Sequence, residues 1–399
     1  MGVGNIANSS MQAAMRNMEV ISNNIANVNT PGFKRSSLNF SELYAGNVSD
    51  SRQPGLGVRI DSLRQNFSTG RLDSTNSQLD MSLNNDAFFI QRDPFSGTTH
   101  YTRAGHFNMD NDGYIYGFSG RVQGFPAKDG VILNSANLVD LQIPNSPLPA
   151  KATEKTQIKL NLNAGDEAKT VPFDVSEPNS YNYRSDLTVF DSLGNEGKLS
   201  VYYIKQADNS WTAQMLMNGQ NIGTGSLTFD GSNGALAAAT GFDALSWNPT
   251  GGATSPQAFS MDLTGSTQSV MDSREYSKDQ NGYPAGIPRE YNIDDSGKLN
   301  IYYSNGESRY AGQIALARFT APQGLAKADN MSWLATPDAG DPIINSDNSE
   351  GNFSIGTLEL SNVDITEELV KLMGAQHDFQ ASAQIQQTYN QVLQTIEKL

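Results

Sequence analysis

The stretch that decides the fold is Ser22-Asn23-Asn24-Ile25-Ala26-Asn27-Val28-Asn29-Thr30-Pro31-Gly32-Phe33-Lys34-Arg35. It ends a helix. Pro31 lacks the amide that would continue the ladder and pushes Thr30 out of the helical region. Gly32 can take positive φ and reverse the chain, which leaves Phe33 to anchor the outgoing segment on the next layer. Upstream, no Pro or Gly occurs from Asn5 to Asn29, and Met11, Ala14, Met18, Ile21, Ile25 and Val28 step by 3, 4, 3, 4 and 3 residues. That spacing predicts an a/d seam on an N-terminal helix. The opposite face is mostly Asn, Ser and Gln.

The other chain end repeats the pattern. Asp364 and Glu367 stand at capping-box spacing before an apolar-periodic run. Ile365, Leu369, Leu372, Gln376 and Phe379 follow a heptad rhythm, which slips near Ser382 and resumes as Ile385, Tyr389, Val392, Ile396 and Leu399. Gly374 is the weak point in helix propensity. Gln380, Gln384, Gln387, Gln391 and Gln394 make the other side rich in amides. A helix with so narrow a seam is marginal alone in water, so both ends are expected to pack on each other, on the body or on other molecules.

Between the helices the chain reads as β. Turn dipeptides punctuate it at Asp112-Gly113, Asn218-Gly219, Asn233-Gly234, Asn281-Gly282 and Asn305-Gly306, with alternating or β-branched runs between them. Residues 186–190 and 198–205 read as a hairpin, followed by strands at 211–217, 298–303 and 313–319. Prolines at 144, 147 and 149 and the run Gly282-Tyr283-Pro284-Ala285-Gly286-Ile287-Pro288 mark boundaries. The expected fold is multidomain and mainly β. Sandwich- or barrel-like domains are nested by insertion, and the N- and C-terminal helices form a coiled-coil-like terminal domain. The expected divisions are 1–30 with 362–399 (terminal helices), 31–70 with 350–361 (connecting segment), 71–146 with 284–349 (inner β domain) and 147–283 (inserted outer β domain).

Composition bounds the function. With 399 residues, two to four domains are expected. Forty-two acids against 27 bases leave a net charge of −15. A basic face for nucleic acid or for an anionic bilayer is therefore not expected. No Cys is present, which excludes disulfides, thiolate metal sites and a cysteine nucleophile. No apolar run is long enough to cross a membrane as a helix, and the first residues lack the pattern of a cleaved signal.

Catalysis is not indicated, and no cofactor or metal is expected. Asn108-x-Asp110-x-Asp112-Gly113 has the first half of a calcium loop, but Ser119 stands where a bidentate Glu is required. Asn292-x-Asp294-x-Ser296-Gly297 fails in the same way, with Tyr303 at that position. Both read as tight turns. His100 and His106 lack a third ligand at suitable spacing. No nucleophile elbow or phosphate-binding Gly-rich loop occurs.

As a whole string, residues 22–35 resemble the N-terminal signature of the bacterial flagellar axial proteins, the rod and hook family. Asn23, Asn24, Asn27, Thr30, Gly32 and Phe33 carry the likeness. Leu360-Ser361-Asn362-Val363-Asp364-Ile365-Thr366-Glu367-Glu368-Leu369-Val370 looks like the matching C-terminal end. Gly55-Leu56-Gly57-Val58, Asp86-Ala87-Phe88-Phe89-Ile90 and residues 101–107 look like the shared inner β region. Residues 171–194, 279–286 and 312–319 are similar to the inserted domain that hook members carry and rod members lack.

The resemblance implies a structural subunit of an extracellular helical tube, the flagellar hook. Such a tube is curved, transmits torque from rod to filament as a universal joint and serves as an export channel. It implies partnership with further copies of the chain, with rod, hook-cap and hook–filament junction proteins, and with the type III export apparatus that exports it without a cleaved signal. On this reading the seams (Met11, Ala14, Met18, Ile21, Ile25, Val28, Leu369, Leu372, Phe379, Tyr389, Val392, Ile396) drive assembly. Gln384, Gln387 and Gln391 line the channel. The alternatives are a distal rod or hook-associated subunit and, more remotely, a secreted β-rich cell-wall hydrolase.

Overall fold

In a computed structural model, residues 2–43, 57–133, 137–345 and 352–397 are described. Gly55, Leu56 and Leu399 lie outside them. The chain forms two compact units, Met1–Pro144 with Tyr291–Ile301 and Ser308–Leu399, and Asn145–Glu290 with Tyr302–Glu307.

The second unit is a sandwich. One sheet is an antiparallel meander of Tyr183–Phe190, Glu196–Ala207, Ser210–Met217, Gln220–Phe229 and Leu236–Thr240. Its turns follow the local sequence. Asp191 closes the first by accepting from the amides of Leu193 and Asn195 at 2.8 and 2.9 Å. Asn218 and Gly219 both take positive φ, 50° and 86°, in a two-residue hairpin whose twist suits that sign. The other sheet is mixed. Lys155–Asn163 runs parallel to Gln257–Asp262 and Thr267–Ser269, and antiparallel to Arg274–Gln280. Alternate side chains of both sheets meet in one core around Trp211, Tyr203, Leu199, Ile158, Phe242 and Phe259. The Trp211 indole donates to Gln268 Oε1 at 2.7 Å, which satisfies its polar edge inside that core.

Asn281-Gly282 is not a hairpin turn. The Asn281 carboxamide accepts from the amides of Glu154 and Lys155, at 2.9 and 3.0 Å, and ties the exit of the unit to its entrance. The run 313–319 is also two strands rather than one. Ser308–Ile314 pairs with Gly120–Lys128, and Leu316–Arg318 pairs with Phe88–Arg92 and Ile343–Asn345. The chain changes neighbours at the buried Ala315.

In the first unit, α1 (Gly2–Ala26) and α2 (Ile365–Glu397) bracket the β structure. Between α1 and the main sheet runs a two-stranded ribbon of Ser36–Glu42 and Val58–Gln65. Phe88 stacks edge-on against Phe67, Trp333 and Phe319, with centroids 5.6, 5.6 and 6.0 Å apart. The Trp333 indole donates to Gln65 Oε1 at 2.6 Å and pins the ribbon to this aromatic core. Two short pairings join the returning C-terminal chain to the N-terminal half: Phe353–Ile355 with Met81–Leu83, and Thr357–Glu359 with Leu72–Ser74.

Each unit has its own core, so damage to one should not spread. Trp211→Ala is expected to lower the opening free energy of strand Glu196–Ala207 by about 3–5 kcal/mol. Hydrogen exchange should show this while protection of Met81–Leu83 is unchanged.

Candidate functional site

The two chain ends pair as antiparallel helices. Asn24 Nδ2 donates to Glu368 Oε2 at 2.9 Å, Ser10 and Ser382 hydroxyls meet at 2.9 Å, and a Cβ added at Gly4 would stand 2.8 Å from the Tyr389 ring. These marks order the partners 24–368, 10–382 and 4–389. The α2 side of the contact is an unbroken heptad: Glu368, Leu372, Ala375, Phe379, Ser382, Gln386 and Tyr389 are its buried or half-buried positions. The phase slip expected near Ser382 does not occur. Polar residues occupy three of these positions, Glu368, Ser382 and Gln386, and Ser382 is satisfied there by Ser10. On α1, Ala7, Ala13, Ala14, Ile21 and Asn24 are buried, while Met11, Met18 and Ile25 are half-covered. Small residues let the two backbones approach closely. Val28 lies beyond the helix end, in the turn.

Much of the remaining apolar surface of α2 has no cover in the single chain. Leu369, Met373, Ile385, Val392, Leu393 and Ile396 are all exposed, Val392 at 50% and Ile396 at 62%. Ile385, Tyr389 and Val392 line an open groove of about 600 Å³ with Ala381, Gln384 and Thr388. Of the seam residues read from the sequence, Leu372, Phe379 and Tyr389 face α1; Leu369, Val392 and Ile396 do not. Gln384, Gln387 and Gln391 are exposed, and heptad spacing sets them opposite the buried seam. Gly374 is exposed, with nothing within 4 Å of an added Cβ.

The start of α2 is capped as its sequence suggests. Asp364 Oδ1 accepts from the amides of Thr366 and Glu367, at 2.8 and 3.1 Å. The Glu367 carboxylate reaches elsewhere, to Lys371 at 2.7 Å and Arg35 at 3.0 Å. The Lys371 hydrogen bond, helped by the Arg35 charge, holds the Glu367 carboxyl below the usual carboxylate range.

The signature residues build the joint below the helices. Asn24 is buried, and its carboxamide is saturated. Oδ1 accepts from Ser36 N at 3.0 Å, and Nδ2 donates to Ser36 O at 2.8 Å and to Glu368. It acts as a one-residue strand partner for the start of the ribbon. Asn27 closes the turn by donating to Asn23 O at 2.9 Å and accepting from Thr30 Oγ1 at 3.2 Å. Gly32 has φ +73° and donates to Glu359 O at 2.7 Å; a Cβ there would meet Ala104 N at 2.5 Å. Phe33 is buried, and the Lys327 ammonium lies 5.2 Å over its ring. Lys34 is also buried, donates to Ser68 O at 2.8 Å and forms an ion pair with Glu359. Burial lowers its pKa and Glu359 partly offsets the shift. The sequence reading did not single out Lys34, Glu359 or Glu368. For Glu368 the signal was there, since it starts the heptad that runs through Ser382.

The remaining motifs are engaged locally. Asp110 Oδ1 accepts from the amides of Asp112 and Tyr114, and Asp294 Oδ1 from those of Ser296 and Lys298. His100 Nδ1 meets Ser332 Oγ at 3.1 Å, and His106 Nδ1 meets Asp80 Oδ1 at 2.7 Å, so the two rings have separate partners.

Comparison with known proteins follows the same architecture. Residues 5–34 match the family described as flagella basal body rod protein, 159–283 the flagellar basal body protein FlaE D2 domain, and 355–399 the flagellar basal body rod FlgEFG protein C-terminal family. The chain is 34% identical over 402 residues to the flagellar hook protein FlgE of Escherichia coli K12, covering 98% of each. It is 30% identical to the flagellar hook protein FlgE of Borreliella burgdorferi, again covering 98% of each. The crystal structure of Helicobacter pylori flagellar hook protein FlgE2 shares its fold, with a TM-score of 0.54 at 15% identity, covering 72% of this chain and 99% of that one.

Three outcomes are expected at this site. Asn24→Asp keeps the shape but sets a second carboxylate against Glu368 and Ser36 O, and should cost about 1–3 kcal/mol in thermal unfolding. Gly32→Ala should destabilise the first unit by at least about 1–2 kcal/mol, from the left-handed backbone alone. The Glu367 contribution is in force above its unfolded pKa and is lost as pH falls through its depressed folded value. Protection factors in the first turn of α2 should therefore fall in acid, and less so in Glu367→Gln.

Proposed function

The chain belongs to the flagellar hook protein family and is a structural subunit of the hook, and on that footing we propose that it works by self-assembly through the uncovered apolar surface of α2. The observation that carries this reading is the unequal use of that helix. One flank is satisfied by α1, while Ile385, Val392, Leu393 and Ile396 stay in water. A surface of this kind on a structural subunit is suited to burial against neighbouring copies.

In the proposed assembly the copies form a curved helical tube that joins rod to filament, bends as a universal joint and passes later subunits through its bore. The helix pair makes the inner wall, residues 31–70 with 350–361 the connecting layer, 71–146 with 284–349 the inner β domain and 147–283 the outer domain. Gln384, Gln387 and Gln391 face the bore, where uncharged amides offer a passing chain no fixed charge to bind. The rod, the hook cap and the junction proteins are its neighbours along the axis. The type III apparatus exports it without a cleaved signal. The match of residues 159–283 to a D2 domain favours a hook over a rod subunit.

Val392→Ser combined with Ile396→Ser leaves the buried seam intact, and each loses about 1 kcal/mol or more of apolar burial per subunit contact. The variant should keep the helical circular dichroism and unfolding midpoint of the parent. It should fail to sediment as polymer or to form tubes by electron microscopy. Tubes at the parent's critical concentration would refute assembly through this surface. Glu at positions 384, 387 and 391 should slow filament growth beyond the hook, measured as filament length per unit time.

A further inference from the structure

An asparagine followed by glycine is open to attack by its own backbone, because glycine puts no Cβ beside the attacking nitrogen. The chain has four such pairs, at Asn218, Asn233, Asn281 and Asn305. All four lie in the second unit, and their sequence chemistry is the same. The fold treats them differently.

At three of the pairs the attacking nitrogen is engaged. Gly234 N donates to Asp230 O at 2.7 Å, Gly282 N to Gln280 Oε1 at 2.6 Å, and Gly306 N to Tyr303 O at 3.1 Å. Two of them are also hemmed in. A Cβ at Gly234 would stand 2.2 Å from Gln268 O, and one at Gly282 would stand 2.3 Å from Thr153 Oγ1. At the third, Asn305 Nδ2, the group that has to leave, donates to Pro284 O at 2.8 Å. The carboxamide oxygens do not separate the four pairs. Each accepts from at least one backbone amide: Asn218 from Lys198, Asn233 from Ala235, Asn281 from Glu154 and Lys155, and Asn305 from Glu307.

The Asn218 pair stands apart. Among the described residues, neither Gly219 N nor Asn218 Nδ2 donates a hydrogen bond. Both residues are exposed, and nothing lies within 4 Å of a Cβ added at Gly219. Together they are the whole turn between Ser210–Met217 and Gln220–Phe229, whose pairing begins at Met217 with Gln220. The turn is held from outside by Lys198, through Asn218 N to Lys198 O at 2.9 Å and Lys198 N to Asn218 Oδ1 at 2.8 Å. A hairpin end of two exposed residues can open without unpairing the strands behind it.

We propose that Asn218 is a deamidation site, the one Asn-Gly pair of the four that reacts in the folded chain. Gly219 N gives its proton to a solvent base and attacks Asn218 Cγ. The Cγ–Nδ2 bond breaks, and Nδ2 takes up a proton and leaves as ammonia. Water then opens the five-membered imide at one of its two carbonyls. Opening on the backbone side leaves isoaspartate, and opening on the side-chain side leaves aspartate. The sum is one water consumed and one ammonia released, with no change of oxidation state. Each event adds one negative charge at a hairpin tip of a chain whose net charge is already −15. Aspartate suits the same two-residue turn. Isoaspartate lengthens the main chain by one carbon at a place where loop length sets strand register. None of this depends on the assembly reading above.

Peptide mapping by mass spectrometry tests the site. Full-length chain is held in mildly alkaline buffer, folded in one sample and unfolded in concentrated urea in another, until the urea sample is modified at all four positions. In urea the four rates should be alike. In the folded sample Asn218 should lead each of the others by at least about fivefold, the cost of first breaking one hydrogen bond at the glycine nitrogen. On anion exchange, the acidic form that grows in the folded parent should elute with freshly made Asn218→Asp. Equal rates at the four pairs in the folded chain, or another pair in the lead, would overturn the proposal. So would an unmodified Asn218 in the folded sample, which would mean that the two Lys198 bonds protect the turn.

Discussion

The structure of the first unit depends on one contact, made between residues 344 positions apart: the bonds from the Asn24 carboxamide to Glu368 and to the backbone of Ser36. Neither terminal helix has an apolar stripe wide enough to hold itself in water. Each becomes stable by lying on the other, and they can do so only if the joint delivers both chain ends side by side. Asn24 is the residue where α1, the ribbon and α2 come within hydrogen-bonding reach of one another. Gly32 serves the same end sterically, because the reversal of the chain there leaves no room for a side chain against Ala104.

That arrangement explains why the apolar residues of α2 are more numerous than one partner can cover. A single antiparallel neighbour buries one flank of a helix, here built on small and polar residues such as Ala375, Ser382 and Gln386. Ile385, Val392 and Ile396 stay exposed. In the assembly proposed above, affinity for other copies and stability of the subunit would be carried by different flanks of one helix. The sandwich of the second unit has a closed core around Trp211 and takes no part in that division.

The charge cluster at Lys34, Arg103 and Glu359 sits where the helix-bearing joint meets the sheet, and there the usual rule that buried ions are paired and bonded is only half obeyed. Lys34 is satisfied by Ser68 O and Glu359, while Glu359 Oε2 and the Arg103 guanidinium have no hydrogen-bond partner among the described residues.

Much of this was legible in the residues alone, wherever the cause is local. Pro31 and Gly32 stop α1, Asp364 caps α2, and Asn218-Gly219 turns a hairpin, because each acts on its own backbone within a few residues. Mainly β middle and helical ends followed from periodicity. Three things were not legible. The heptad through Ser382 looked broken because the polarity of that serine is compensated only by Ser10, 372 residues away. Asn281 read as a turn residue, yet its side chain binds the backbone at Glu154 and Lys155. Lys34 carried no signal of burial in the sequence, and only the convergence of Ser68 and Glu359 on its ammonium satisfies it there. Local sequence specifies where backbone can bend and which face of an element is apolar. Which polar groups are buried, and which apolar flank is left uncovered, depends on which distant segments arrive beside them, and that is a property of the folded whole.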